Sequence, residues 1–129
     1  MTVVAVLLGG ILGTGLRLTL DELVAPESAF PWATLLINVL GSLVLGYLVA
    51  RVWPSAPAWL RAGLGTGLLG SFTTFSAVIV SLLTLTAAGM TLLAIVYLVV
   101  TLLLGFAAAW VGIRLGVRAP IDPPIGADE

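Results

Sequence analysis

The sequence predicts an all-α membrane protein with one domain of four transmembrane helices. Of its 129 residues 60% are hydrophobic and only 9% charged, whereas about a quarter of the residues of a soluble domain carry a charge. The mean hydropathy is +1.24. A helix needs about 20 mainly apolar residues to cross the hydrocarbon core of a bilayer, and the chain offers four windows of about that length. Water is therefore not the main solvent of this chain.

The four windows follow one another with only short breaks between them. They cover residues 3–20, 32–53, 61–85 and 90–115. The first two breaks contain prolines, and the last is the short turn at 86–89. Trp32, Trp53 and Trp59 fall at the ends of windows, where indole rings prefer the membrane interface. We therefore predict a four-helix transmembrane domain over residues 1–118. Residues 119–129 are rich in proline and acidic residues, and we predict a disordered tail there.

The basic residues predict the orientation of the chain. All 5 are arginines. With four spans, the side that holds both termini receives most of them, namely Arg51, Arg61, Arg114 and Arg118. The other side receives Arg17 together with acidic residues, which weigh little in the positive-inside rule. This pattern predicts a multi-pass membrane protein with both termini in the cytoplasm.

Composition also excludes several functions. The chain has no Cys and no His, so it lacks thiol nucleophiles and the usual zinc and haem ligands. We expect no enzymatic activity and, without clustered basic residues, no nucleic-acid partner. A small multidrug or cation exporter would need an acidic residue inside a span, and none of the four windows contains one.

Neutral polar residues inside the windows are the candidates for function. Thr34, Asn38 and Ser42 are spaced i, i+4, i+8 and share one face of the second helix. This stripe predicts either hydrogen bonds between helices or an ion-lined track. Tyr97 and Thr101 align two more hydroxyl groups on the fourth helix. Arg17 has two interpretations, a side chain that snorkels to the membrane edge or a charge that attracts an anion.

The third helix contains an unusual segment, Gly67-Leu68-Leu69-Gly70-Ser71-Phe72-Thr73-Thr74-Phe75-Ser76. Taken alone, it predicts an ordinary helix whose hydroxyl groups bond back to the preceding turn. The alternative is a break at mid-membrane, whose freed carbonyls could hold a small cation. Glycines recur throughout the first three windows, and they predict close helix packing, within the chain or in a dimer.

Together these elements resemble the small bacterial fluoride channels called CrcB or Fluc. The similarity extends from about Gly9 to Leu115. The matching residues are Gly9, Gly10, Gly13 and Arg17 in the first helix, the run Asn38-Val39-Leu40-Gly41-Ser42 in the second, Gly70 with Thr73-Thr74-Phe75-Ser76 in the third, and Tyr97 with Thr101 in the fourth.

The resemblance implies a dual-topology dimer, in which two subunits in antiparallel orientation form two pores for passive fluoride efflux. It also implies a third helix broken near mid-membrane and a structural sodium ion at the dimer centre, bound by the backbone carbonyls of Gly70 and Thr73 but not transported. The implied fluoride pore consists of Asn38, Phe75, Tyr97, Thr101, Thr34 and Ser76, with Arg17 attracting the anion. Fluoride, sodium, a second subunit and the lipid bilayer are thus the expected partners.

The chain departs from the family pattern at the third helix. Val78 stands where a second phenylalanine is usual, and Ser71 and Ala33 replace usual glycines. The arginine bias also fits poorly with identical chains that must insert both ways. One hypothesis is a heterodimer with a homologous chain that supplies the missing ring. The alternatives are a homodimer that tolerates Val78, and a non-conducting scaffold subunit.

Overall fold

The computed structural model describes residues 1–24 and 29–117, and this part of the chain is helical apart from its turns. Four helices are long and apolar enough to cross a membrane. They cover Thr2–Leu23, Trp32–Val52, Ala58–Ala87 and Thr91–Gly116, here called the first to fourth spans. The predicted all-α, four-span fold of a multi-pass membrane protein is confirmed. The predicted tail lies outside the described residues, as does Arg118.

The spans begin and end close to the predicted positions, with one informative difference. The first helix continues to Leu23, where the Val24 amide bonds to the Leu20 carbonyl. Asp21 and Glu22, which the sequence placed in a loop, therefore form part of its last turn. A carboxylate is tolerated at a helix end that reaches the membrane surface, and the first span thus ends in acidic residues.

Two spans contain a π-helical segment, in which each amide bonds five residues back. The second span ends as one at Leu48–Val52, closed by the bond from the Trp53 amide to the Leu48 carbonyl at 2.9 Å. The third span begins as an α-helix at Ala58–Ala62 and continues as a π-helix at Gly63–Leu69. The wider turns change the direction in which backbone and side chains face.

Glycines allow the spans to pack backbone to backbone. A Cβ at Gly13 would lie 2.1 Å from the carbonyl oxygen of Leu68, so the first span can press against the π-helical segment only because a side chain is missing. A Cβ at Gly112 would lie equally close, 2.1 Å, to the carbonyl oxygen of Leu43. These glycines thus join the first span to the third and the second to the fourth, within one chain.

The third span is interrupted near the middle of its 30 residues. A short helical turn, Gly70–Phe72, ends at Thr73, and a new helix runs over Phe75–Ala87. Thr73 has φ −77° and ψ 155°, and Thr74 has φ −149° and ψ 118°, so both residues are extended. The expectation of an ordinary helix, drawn from the segment alone, is wrong here. The depth of the interruption in the membrane and the dimer stay predictions.

Apolar side chains form two small buried clusters beside this interruption. One contains Leu35, Val78, Leu85, Ala94 and Tyr97. The other contains Ile37, Leu69 and Phe72. Large apolar side chains elsewhere in the spans are mostly exposed, as expected of a surface that faces lipid. The two clusters therefore fix the positions of the second, third and fourth spans around the interruption.

Candidate ion pathway at the helix break

The Asn38 side chain holds the interrupted backbone in place. Its Nδ2 donates to the Thr74 carbonyl at 2.9 Å, and its Oδ1 accepts from the Thr74 amide, also at 2.9 Å. The amide of one side chain thus satisfies both polar groups of a residue that has left the helix. Asn38 is half-buried, and one Nδ2 hydrogen is not used in this pair. Asn38 therefore stabilises the break, and its remaining Nδ2 hydrogen can donate to an anion.

The same hydrogen bonds divert donors away from two carbonyls. In a continuous helix the Thr74 amide would bond to the Gly70 carbonyl, but here it bonds to Asn38. The Ala77 amide would bond to the Thr73 carbonyl, but it bonds to the Thr74 hydroxyl at 3.2 Å. Gly70 and Thr73 both border the open face of the molecule. Their carbonyl oxygens therefore fit the hard oxygen ligands that a sodium ion requires.

Thr74 begins the helix that follows the break. Its side-chain oxygen accepts the Ala77 amide in an N-cap geometry and lies 3.1 Å from the Ser76 hydroxyl oxygen. The Thr73 hydroxyl instead donates back to the Leu69 carbonyl at 2.9 Å. One of the two neighbouring threonines thus ends a helix and the other starts the next, and the amides of Thr73, Thr74 and Ala77 all keep hydrogen-bond partners through the turn.

A large cavity, about 920 Å³ in volume, opens beside the break. Among the predicted site residues, its wall contains Asn38, Gly70, Thr73, Phe75 and Thr101. The Phe75 ring is 71% exposed and projects outward into this space. Of the described residues that line the cavity, Arg61 is charged and none is acidic. The cavity therefore combines amide, hydroxyl and aromatic groups with a positive charge.

A smaller cavity of about 400 Å³ lies on the other side of the break. It is lined by Arg17, Asp21, Thr34, Ser76 and Ser81 among others. Thr74 borders both cavities. The extended residue that Asn38 holds therefore separates two cavities, each of which has an arginine and several other polar groups in a mainly apolar wall.

The hydroxyl groups of Tyr97 and Thr101 are buried, although Thr101 also borders the large cavity. Tyr97 is 0% and Thr101 9% exposed, and no hydrogen bond of good geometry reaches either hydroxyl. The Tyr97 hydroxyl faces the hydroxyls of Thr34, Ser81 and Thr101, which come from three different spans. Buried hydroxyl groups without a partner are uncommon, because each costs about 1–3 kcal/mol. This cluster of hydroxyls is therefore a place where a small hydrogen-bond acceptor could enter after a modest movement of side chains.

The structure thus groups all the predicted site residues around one break, but in three places. The large cavity receives one group, the small cavity receives Arg17, Thr34 and Ser76, and Tyr97 lies in the core between helices. Thr34 and Asn38, predicted on one stripe, therefore border different cavities. Their roles in conduction stay predictions. The sequence did not indicate Thr74, Ser81 or Arg61 as site residues, although the adjacent threonines were a visible signal for Thr74.

Comparison with known proteins identifies the family of this chain. The family model described as CrcB-like protein, Camphor Resistance (CrcB), matches residues 4–113. The chain is 39% identical over 114 residues to "Fluoride-specific ion channel FluC 1" of Ligilactobacillus salivarius (strain UCC118), covering 88% of this chain and 97% of that protein. It is 37% identical over 118 residues to "Fluoride-specific ion channel FluC" of Oceanobacillus iheyensis, covering 89% and 91%. It is 41% identical over 115 residues to "Fluoride-specific ion channel FluC 2" of Rhodococcus jostii (strain RHA1), covering 89% and 98%. The chain therefore belongs to the CrcB family of membrane proteins.

Proposed function

We propose that this protein is a subunit of a fluoride-specific ion channel, which lets fluoride leave the cell passively and so lowers fluoride toxicity in the cytoplasm. The observation that carries the proposal is the helix break, where the Asn38 amide, several hydroxyls and the Phe75 ring lie between two cavities that each contain an arginine. Relatives of similar length with this family's features are named for fluoride conduction.

The chemistry of these groups suits fluoride. The ion is small and strongly hydrated, so a selective path must replace its water with hydrogen-bond donors. The unused Nδ2 hydrogen of Asn38 and nearby hydroxyls can donate, and the positive edge of the Phe75 ring adds attraction. In the part of the chain that the structure describes, no group of His, Cys, Asp or Glu residues could hold a metal ion by its side chains. A sodium ion would instead rest on the Gly70 and Thr73 carbonyls and offset the charge of the anion.

A second subunit is needed to complete the path. The large cavity is an open groove whose wall includes Asn38, Ser42, Thr66 and Arg61. Such groups cannot face lipid at low cost, and the strongly exposed Phe75 lies beside them. A partner in antiparallel orientation would shield this groove from lipid while leaving its end at Arg61 open to water, and would bring the two sets of carbonyls together. We therefore include an oppositely oriented subunit and a structural sodium ion in the proposal.

The partner could be a homologous second chain. Val78 is only 2% exposed and packs in the cluster with Leu35 and Tyr97, so this chain presents no second ring at that position. Arg51, Arg61 and Arg114 all occur at the same end of the bundle and Arg17 at the other, which favours insertion in one orientation with cytoplasmic termini in a bacterial inner membrane. A partner with the opposite bias and an additional phenylalanine would complement both features.

Efflux from liposomes tests the function directly. Protein reconstituted alone, and then together with a homologue from the same genome, should release fluoride to an electrode only when sodium is present. Efflux from the chain alone would establish a homodimer and contradict the heterodimer. Folded protein that releases no fluoride in either case would contradict the channel.

A non-conducting scaffold is the second candidate, because Val78 removes a ring from the pore. Phe75→Leu should abolish efflux from the conducting complex without loss of assembly. Phe106→Leu is the matched control, since Phe106 lines the same cavity and is 74% exposed but lies far from the break in sequence. Unchanged efflux in the Phe75→Leu complex would mean that the partner subunit's residues alone conduct fluoride, and this would favour the scaffold.

A further inference from the structure

The two cavities at the break differ in their charges. The small cavity contains Arg17 and Asp21, one helical turn apart on the first span. The large cavity contains Arg61, and none of the described residues that line it is acidic. A nearby negative charge partly cancels the electrostatic potential that an arginine produces some distance away. An arginine without such a neighbour keeps its full potential. The large cavity therefore has the stronger attraction for an anion.

Arg61 occupies the end of the large cavity that lies away from the break. It precedes Thr73 by 12 positions along the third span, which corresponds to roughly 18 Å of helix. Trp53 and Thr66 line the same end. The Trp53 ring packs on Gly65, one turn after Arg61, where an added Cβ would lie 3.2 Å from Cζ2 of the indole. The Arg61 side chain is exposed, so its guanidinium is free to face water at this entrance.

We infer that Arg61 is an anion-collecting residue at the mouth of the large cavity, the counterpart of Arg17 at the opposite mouth. This inference rests on the proposed channel function and adds the step that precedes entry into the narrow part of the path. A small monovalent anion that collects near Arg61 then moves along the cavity wall toward Asn38 and Thr74. Arg61 touches neither, so it acts through its potential and not as a ligand of the break.

The mechanism predicts a particular dependence on salt. A unit charge at roughly 8 Å in water raises the local concentration of a monovalent anion about twofold, and more where protein walls lower the dielectric constant. Salt screens this effect, because the Debye length falls from about 30 Å at 0.01 M to about 3 Å at 1 M. Loss of Arg61 should therefore matter at low ionic strength and disappear at high ionic strength.

Efflux of fluoride from liposomes gives the first test. Arg61→Gln should reduce the initial rate at least about twofold at about 0.01 M ionic strength and leave it nearly unchanged near 1 M, and Arg61→Lys should keep the wild-type rate. Arg51→Gln is the matched control, because Arg51 is exposed at the same end of the bundle but does not line the cavity. An equal loss in Arg51→Gln, or no salt dependence in Arg61→Gln, would overturn the inference.

A second measurement does not depend on conduction. In a Trp32→Phe, Trp59→Phe, Trp110→Phe background, the fluorescence of Trp53 reports on the mouth of the cavity. The ratio of quenching by iodide to quenching by neutral acrylamide should fall at least about twofold when Arg61→Gln is added at low ionic strength. An unchanged ratio would refute anion collection by Arg61. A fallen ratio in a protein that does not conduct fluoride would support the anion site while rejecting the proposed function.

Discussion

Replacing Asn38 with leucine tests whether this side chain maintains the helix break. Leucine has nearly the same size but cannot bond to the Thr74 amide or carbonyl, which Asn38 binds at 2.9 Å each. Each buried backbone group left without a partner costs about 1–3 kcal/mol. Because Asn38 borders a cavity, water can compensate in part. We therefore expect a loss of about 2–4 kcal/mol in the stability of the break.

Hydrogen exchange of the reconstituted protein measures this loss at the residue concerned. A change of 2–4 kcal/mol corresponds to a fall of about 30- to 700-fold in the protection of the Thr74 amide. Amides of the first span should keep their protection, because Asn38 does not bond to them. Ser42→Ala is the control, since Ser42 lies one turn further along the same helix, borders the same cavity, and should leave the Thr74 amide protected.

The reasoning would be refuted if the Thr74 amide kept its protection in Asn38→Leu. That result would mean that packing alone maintains the extended backbone at Thr73 and Thr74. A loss of protection spread evenly over all four spans would also refute it, because it would show general unfolding and no local role for Asn38.

Three further changes separate packing, capping and conduction. Gly13→Ala should destabilise the protein by about 1–3 kcal/mol in an unfolding titration, because its Cβ would lie 2.1 Å from the Leu68 carbonyl oxygen. Gly15→Ala, whose Cβ has nothing within 4 Å, should be neutral or slightly stabilising, because alanine favours a helix more than glycine does. Thr74→Val removes the cap of the Ala77 amide and should lower the stability by about 1 kcal/mol in the same titration. The control Thr84→Val removes an exposed hydroxyl within a helix and should lower the stability by almost nothing. Equal losses of stability in the two variants would argue against the cap. Tyr97→Phe removes a buried hydroxyl without a partner, so the stability should stay equal or rise while fluoride efflux falls; a loss of stability would show a hydrogen bond that the structure lacks.

The sequence predicted the spans well because hydropathy is a sum over many residues. Each window of about 20 apolar residues averages out local exceptions, so the four spans could be located within a few positions. The ends were harder. Asp21 and Glu22 are acidic and marked the end of a window, but a helix can continue past the membrane edge, and its last turn does so here. Hydropathy records where lipid ends and not where hydrogen bonding ends.

The break in the third span could not be derived from its own residues. Gly67, Ser71 and Thr73 lower helix propensity only slightly, and a continuous helix satisfies every amide locally. The extended conformation becomes stable because Asn38, 36 positions earlier, supplies both hydrogen bonds that Thr74 loses. A partner so distant in sequence leaves no local pattern, so the segment alone made a break only the alternative to a continuous helix, and the resemblance to a family favoured it. The π-helical segment at Gly63–Leu69 was missed as well; it packs against Gly13 of the first span, a contact that the residues of the third window do not indicate by themselves.

The pairing of Asn38 with Thr74 also limits how this residue can act in the proposed pore. A neutral amide has two hydrogens on Nδ2, and one is given to the Thr74 carbonyl. Asn38 can therefore donate one hydrogen bond to a passing anion while it keeps its bond to the Thr74 carbonyl. It can donate a second only if it loses that bond. Since fluoride requires several donors to replace its water, the remaining ones must come from hydroxyls or from the partner subunit. In the proposed pore, the buried hydroxyls of Tyr97 and Thr101, which have no partner in the structure, are candidates to supply them.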